Sequence, residues 1–93
     1  MPIANFEDIP KRAENIQWRE FGTDGILLDL TSGDYFEINE VGLMIWTLVD
    51  DQKTIAEIIE TLARYFDAEV ADLVEETREF LTELITKGLI TVG

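Results

Sequence analysis

The stretch GILLDLTSGDYFEINEVGLMIW, residues 25–46, decides the fold because it joins a predicted β-hairpin directly to an apolar helix. Isoleucine or leucine occupies positions 26, 28 and 30, and this period of two predicts a strand that packs through that face. Residues 32–34 supply a turn, and Tyr35–Ile38 returns as a strand of residues that favour β structure. Asn39 is suited to cap the helix that follows. We therefore expect a strand that passes into a helix with almost no linker.

The segments before this stretch predict one further strand and an N-terminal arm. Ile16–Phe21 is predicted to form a strand, and residues 22–25 are typical of a hairpin turn. Because sequential strands usually pair as neighbours, we predict a three-stranded antiparallel meander with its first and third strands at the edges. Its strands are 16–21, 26–31 and 35–38. Residues 1–15 show no period, so we expect an irregular arm there and one domain over residues 16–93.

A helix predicted over about residues 40–49 is apolar on most of its sides. A helix of this kind is normally buried between layers, so burial is the expected outcome. The alternative is that Leu43 or Trp46 lines a groove.

Two more helices are predicted downstream. The first begins with the capping-box spacing of Thr54 and Glu57 and runs to about residue 65. The second spans about residues 69–87 and ends where Gly88 can terminate it. The sequence thus predicts an α+β fold, with a three-stranded antiparallel sheet followed by three helices.

The chain is strongly acidic, with 20 Asp and Glu residues against 7 Lys and Arg, a net charge of −13 over 93 residues. Nucleic-acid binding draws much of its affinity from basic side chains, so this charge opposes a nucleic-acid partner and favours a basic one. No apolar run approaches the roughly 20 residues of a membrane span, and the N-terminus lacks the apolar core of a signal peptide. We therefore expect no membrane partner and a cytoplasmic location.

The residue types needed for common catalytic sites are missing. The chain has no histidine and no cysteine, which excludes Ser/His and Cys/His nucleophiles. Its glycines form no dinucleotide-binding or phosphate-binding loop. Three acidic groups are candidate carboxylate sites, but none has EF-hand spacing: Asp50-Asp51, Glu75-Glu76 and the trio Asp67, Glu69 and Asp72. We expect neither an enzyme nor a cofactor or metal site.

The predicted edge strand at Tyr35–Ile38 is the candidate binding element. An open edge can accept an extended peptide as a further strand, through backbone hydrogen bonds. This strand carries one charge and no proline, so it lacks the usual features that block edge pairing. A count at about 100° per residue places Leu73, Glu76 and Phe80 on one flank of the last helix. Phe80 is either the rim of the core or one wall of a groove.

The ordered set of these segments resembles the PqqD-like domain, also called the RiPP recognition element. That family's hairpin ends in an aromatic-x-Leu/Ile-Asn-Glu element, here Phe36–Glu40, and an Ile-Trp pair follows, here Ile45-Trp46. Its second helix opens with Thr-Ile/Val-x-Glu-Ile, here Thr54–Ile58. Its last helix ends in Phe-Leu-x-x-Leu-x-x-x-Gly-Leu-Ile, here Phe80–Ile90. The resemblance covers residues 16–92 in order and with the family's spacing.

The resemblance implies a winged-helix-like fold without catalysis. It also implies that the chain binds the N-terminal leader of a ribosomally made precursor peptide and presents it to modifying enzymes. In that family the leader lies antiparallel on the third strand, in a groove between this strand and the third helix. Carried over, and with the helix residues chosen from the face count, the peptide-binding contacts are Asp34, Tyr35, Phe36, Glu37, Ile38, Leu73, Glu76, Thr77 and Phe80.

As a stand-alone domain, the chain fits two subfamilies. One is the leader-binding protein of lasso-peptide clusters, which works with a separate leader peptidase and a cyclase. The other is the peptide chaperone of pyrroloquinoline quinone synthesis, which works with a radical enzyme. The hairpin Thr31–Phe36 looks more like the lasso type, whose leaders resemble a Tyr-x-x-Pro pattern flanked by lysines and suit an acidic protein.

Two other classes of protein are compatible with the fold. A winged-helix DNA-binding protein would use the last helix for recognition, but that helix carries six acidic residues against two basic ones over residues 69–87. A purely structural interaction module is the remaining alternative.

Overall fold

The computed structural model describes residues 6–92, so residues 1–5 of the predicted arm and Gly93 of the predicted domain lie outside the described residues. The predicted α+β class, a three-stranded antiparallel sheet followed by three helices, is confirmed. In chain order the elements are β1 (Lys11–Arg12), β2 (Ile16–Phe21), β3 (Asp24–Asp29), β4 (Tyr35–Ile38), α1 (Glu40–Leu48), α2 (Ile55–Phe66), α3 (Val70–Thr86) and β5 (Ile90–Thr91).

The main sheet is antiparallel with the order β2-β3-β4, so β4 is an edge strand as predicted. The first turn is shorter than expected. The strand β3 already begins at Asp24, which leaves a two-residue turn at Gly22–Thr23, with Gly22 at φ 60°. The same strand ends at Asp29, because the Asp29 carboxylate accepts a hydrogen bond from the Thr31 N–H at 2.9 Å and turns the chain there.

The strand β3 packs through the opposite face from the one that its sequence period predicted. Leu27 is 0% exposed, whereas Ile26 and Leu28 are half-buried and lie on the other face of the sheet. Gly25 explains this choice, because a Cβ there would come within 2.8 Å of the Leu43 side chain. The helix α1 therefore approaches the sheet closely on the side of Gly25 and Leu27. The prediction for the inward face was wrong, and the sheet keeps an apolar outer face.

The helices close the core over the inner face of the sheet. The helix α1 is buried as predicted, with Ile45 and Trp46 at 0% exposure and Leu43 at 9%. Burial of such large apolar side chains is the main stabilising contribution in a domain of this size. The helix α2 begins with the predicted capping box, in which Thr54 and Glu57 each accept a hydrogen bond from the other's backbone N–H. Over residues 6–92, no helix is long and apolar enough to cross a membrane.

The N-terminal arm is more regular than its sequence predicts. Lys11–Arg12 forms β1, which pairs antiparallel with β5 and joins the two ends of the chain. Further upstream, the carbonyl oxygens of Asp8 and Phe6 accept hydrogen bonds from the N–H groups of Ile55 and Ala56, at 3.0 and 2.9 Å. N–H groups in the first turn of a helix have no acceptor within the helix. The arm therefore supplies hydrogen-bond acceptors for two N–H groups at the N-terminal end of α2.

Candidate functional site

The candidate site is the outer edge of β4, since within the described residues β4 has a paired strand on one side only. The N–H of Asp29 donates to the carbonyl oxygen of Asp34 at 2.9 Å, so residue 29 directs its backbone groups toward β4. In an antiparallel pair this direction alternates from one residue to the next. Phe36 and Ile38 are therefore the β4 residues that exchange hydrogen bonds with β3.

The two remaining residues of β4, Tyr35 and Glu37, direct their backbone groups away from β3. Their N–H and C=O groups provide two donors and two acceptors at alternate positions. This is the arrangement that an added antiparallel strand requires. Both residues are exposed, Tyr35 at 66%. The edge can therefore accept a segment of extended chain.

A groove runs beside this edge, between β4 and the C-terminal half of α3. Glu83, Leu84 and Lys87 form its wall on the α3 side, and β4 forms the other wall around a volume of about 330 Å³. The Nζ atom of Lys87 lies 5.4 Å from the centre of the Phe36 ring and 3.1 Å from a carboxylate oxygen of Glu83. Lys87 thus connects the two walls at this end of the groove.

The groove continues past Glu83 toward the start of α1. This second part encloses about 210 Å³, and its lining includes Glu76, Glu79 and Phe80 from α3. Phe80 packs against α1 at Gly42, where a Cβ would come within 2.7 Å of the ring. A glycine at position 42 is therefore what allows the ring to lie against α1 and form a wall. We refer to the two parts together as the β4–α3 groove.

The structure places most, though not all, of the predicted contact residues in this groove. Those that line it are Tyr35, Phe36, Glu37, Ile38, Glu76 and Phe80. Asp34 lies in the turn before β4, where its N–H donates to the Ser32 hydroxyl at 3.1 Å. Leu73 and Thr77 were expected on the exposed flank of the helix, but they are 3% and 0% exposed. Their side chains belong to the core, so a peptide in the groove cannot reach them in this conformation.

Three residues that line the groove were not among the predicted contacts: Glu79, Glu83 and Lys87. A signal for two of them was present, because positions 76, 80, 83 and 87 are spaced by four, three and four residues and so share one face of a helix. The predicted flank ended at Phe80, although the same face continues to Glu83 and Lys87. Only the packing against β4 shows that this continuation borders a groove.

The two parts of the β4–α3 groove differ in whether their carboxylates have a basic partner. Glu76 and Glu79 lie in the part near α1, whereas Lys87 lies beside Phe36. Among the described residues, Glu83 forms an ion pair with Lys87, and Glu76 and Glu79 form none. Uncompensated carboxylates in a concave surface attract cations. The end near α1 therefore suits a basic side chain.

Over residues 6–92, no group of three acidic side chains is placed to hold a metal ion.

Comparison with protein families gives one match over most of the chain. The family model described as coenzyme PQQ synthesis protein D (PqqD) matches residues 24–90. None of the curated proteins matches the chain in sequence.

Solved structures with the same architecture include three similar chains. The structure of TbiB1 in complex with the TbiA(beta) leader peptide is 26% identical, over 86% of this chain and 93% of that chain, with a TM-score of 0.77. Lasso peptide synthetase B1 complexed with the leader peptide is 21% identical over 88% and 96% of the two chains, with a TM-score of 0.76. The PqqD truncation of Methylobacterium extorquens PqqCD, described as a functional and stand-alone RiPP recognition element, is 20% identical over 92% of each chain, with a TM-score of 0.72. The last two likenesses concern the fold alone.

Proposed function

Because this chain belongs to the PqqD family, we propose that it binds the leader segment of a ribosomally synthesised precursor peptide by β-strand addition. The observation that carries the proposal is the open edge of β4 beside the β4–α3 groove. An extended peptide gains backbone hydrogen bonds from the edge and directs every second side chain into the groove. The complex of the similar protein TbiB1 with a leader peptide supports this reading.

The proposed contact set follows the lining of the groove. It keeps the six predicted residues that line the groove, together with Asp34 in the adjoining turn. It replaces the buried Leu73 and Thr77 by Glu79, Glu83 and Lys87. The domain that performs this function is proposed to span residues 16–93, with the arm contributing to its stability.

The peptide is proposed to be a lasso-peptide precursor, which the chain delivers in the cytoplasm to a separate leader peptidase and a cyclase. The acidic composition and the hairpin at Thr31–Phe36 support the lasso assignment. The absence of histidine and cysteine supports a role in binding rather than catalysis. The family match itself favours a second candidate, the peptide chaperone of pyrroloquinoline quinone synthesis. The identity of the leader that binds separates the two candidates.

The proposal is tested by titration with synthetic leaders of about 20 residues taken from the precursor genes beside this one. We expect saturable binding near micromolar, which corresponds to about −8 kcal/mol. Fluorescence anisotropy of a labelled peptide is the suitable measurement, because Trp46 is buried and Trp18 lies on β2, at the far side of the sheet from the open edge. A scrambled peptide of the same composition is the control. The absence of saturation with every such leader would overturn the proposal.

Reversal of a charge in the groove is expected to weaken binding of a lysine-rich leader. For Glu76→Lys we expect a dissociation constant about three- to tenfold higher at low salt, because the variant replaces attraction by repulsion in the part of the groove near α1. The difference should disappear at about 1 M salt, where the screening length falls to about 3 Å. The measurement is the same titration at several salt concentrations.

A matched variant separates the effect of charge in the groove from the effect of the net charge of the chain. Glu60→Lys changes the net charge by the same amount, from −13 to −11, but lies on the exposed face of α2 away from the groove. We expect it to change the dissociation constant less than about twofold. Equal effects of the two variants would show that only the overall charge acts.

A further inference from the structure

The face of the main sheet that points away from the helices has two rows of side chains that reach the open edge. The rows cross the three strands as Arg19–Ile26–Glu37 and Gln17–Leu28–Tyr35. Ile26 and Leu28 in the middle are half-buried, and the rows border a depression of about 460 Å³. Each row ends on β4, at Glu37 or Tyr35. This outer face is therefore continuous with the edge that is proposed to bind the leader.

A strand added to β4 would place half of its side chains on this outer face. The backbone groups of Tyr35 and Glu37 point to the added strand, so each of them would form a hydrogen-bonded pair with the residue directly opposite. Residues directly opposite each other in a sheet present their side chains on the same face. The peptide residue between these two would instead face Phe36 and the β4–α3 groove. The leader would then contact the protein on both faces of the sheet.

Resting on the proposed function, we infer that the outer face selects leaders with the sequence basic–any–apolar. The basic residue lies opposite Glu37, and an aromatic or branched aliphatic residue lies opposite Tyr35. The order follows from the strand direction, since each pair in the main sheet is antiparallel and antiparallel pairing is the more stable per residue. In that direction the residue opposite Glu37 comes two positions before the one opposite Tyr35.

The chemistry of the two rows explains the two preferences. Glu37 is exposed and forms no ion pair with a described side chain, and Ile26 separates it from Arg19 in its row. A Lys or Arg directly opposite Glu37 would lie about 5 Å away between Cβ atoms, and opposite charges at that position stabilise the pair. Tyr35 presents an exposed ring beside Leu28, so an apolar residue opposite it buries surface of both.

The acidic character of the chain distinguishes this occupant from a second copy of the protein. Two chains of net charge −13 repel each other. A second β4 added antiparallel to the first would also bring another exposed glutamate or tyrosine to these positions rather than a basic residue. A basic leader, in contrast, offers backbone groups to the edge and basic side chains to the carboxylates of the groove and of the outer face.

A random library of displayed peptides of about 12 residues, longer than a typical strand, tests this inference whatever the sequence of the natural leader. The library is selected against the wild-type chain, Glu37→Lys, Tyr35→Ser and the control Glu60→Lys, each checked for folding by circular dichroism. We expect wild type and Glu60→Lys to enrich basic–any–apolar, and Glu37→Lys to enrich acidic–any–apolar. Tyr35→Ser should lose the apolar preference and keep the basic one. In a selected peptide, reversal of the basic residue should weaken wild-type binding by about twofold to fivefold.

The outcomes separate this inference from the proposed function. Enriched peptides without this alternation, or a motif that Glu37→Lys leaves unchanged, would overturn the inference and leave peptide binding intact. Enrichment of apolar–any–basic would also overturn it, because that order indicates a parallel strand. No enrichment of any peptide would overturn both.

Discussion

Replacement of Glu37 by proline is expected to weaken leader binding at least about tenfold while the chain remains folded. The proline removes the N–H that points outward from β4, and its ring occupies space that an added strand would use. Proline is tolerated on an edge strand when its nitrogen faces solvent, and Phe36 before it is already in a strand. The measurements are the dissociation constant by anisotropy, far-ultraviolet circular dichroism and the thermal midpoint.

Two neighbouring variants isolate the backbone contribution. Glu37→Gln keeps the N–H and loses only the charge, so its effect should not exceed about fivefold. Ile38→Pro removes an N–H on the side that bonds to β3, and it alters a side chain that is 8% exposed. We therefore expect Ile38→Pro to destabilise the fold rather than act on binding alone. Equal losses of affinity for Glu37→Gln and Glu37→Pro would contradict strand addition at this edge.

The position of this edge could be predicted because its signals are local. A turn, four β-favouring residues and the cap at Asn39 follow one another directly, and the bounds of β4 are those predicted. The inward face of β3 could not be predicted in the same way, since both of its alternations contain apolar residues. The close approach of α1 at Gly25 decides between them, and this is a tertiary contact. The wrong choice of inward face also concealed the outer face, which is inferred to contact the leader.

On α3 the positions of residues around the helix could be predicted, but the line at which the buried face ends could not. Thr77 is polar yet 0% exposed, and its hydroxyl has no hydrogen-bond partner among the described residues. Most buried polar groups are paired, so this threonine is an exception. Leu73 and Thr77 border the flank of Glu76 and Phe80, and only the packing shows that they lie inside the core. Glu83 and Lys87 were missed because the predicted flank ended at Phe80. They are charged, and only the packing of α3 against β4 shows that they border a groove.

The N-terminal arm shows the same limit over a longer distance in sequence. Its strand β1 pairs with β5, which is far away in the sequence. No local pattern of apolar residues therefore predicts this strand. The side chain of Arg12 also connects the arm to the core. Its Nη2 donates a hydrogen bond to the carbonyl oxygen of Trp46 at 2.6 Å, and its guanidinium lies 4.8 Å from the centre of the Trp46 ring and 5.7 Å from that of Trp18. Burial lowers the pKa of Arg12, while the charges of Asp51 and Asp50 raise it.

Arg12→Ala is accordingly expected to reduce the free energy of unfolding by about 2 kcal/mol. The variant removes a charge-assisted hydrogen bond near the C-terminal end of α1, where carbonyl groups lack partners within the helix, together with two cation–π contacts. For a domain of this size, that loss lowers the thermal midpoint by about 10 °C. Thermal and denaturant unfolding, followed by circular dichroism, measure both quantities.

The neighbouring residue supplies the control for Arg12→Ala. Lys11 lies in the same strand but is exposed, so Lys11→Ala should change the free energy of unfolding by less than about 0.5 kcal/mol. Arg12→Lys keeps the charge but loses the planar group that stacks on the rings, so we expect only partial recovery. Below its unfolding transition, Arg12→Ala should bind the leader as tightly as wild type, because Arg12 lines neither part of the β4–α3 groove. Weaker binding by the folded variant would place the arm within the binding site, and an unchanged midpoint would show that Arg12 contributes no net stability.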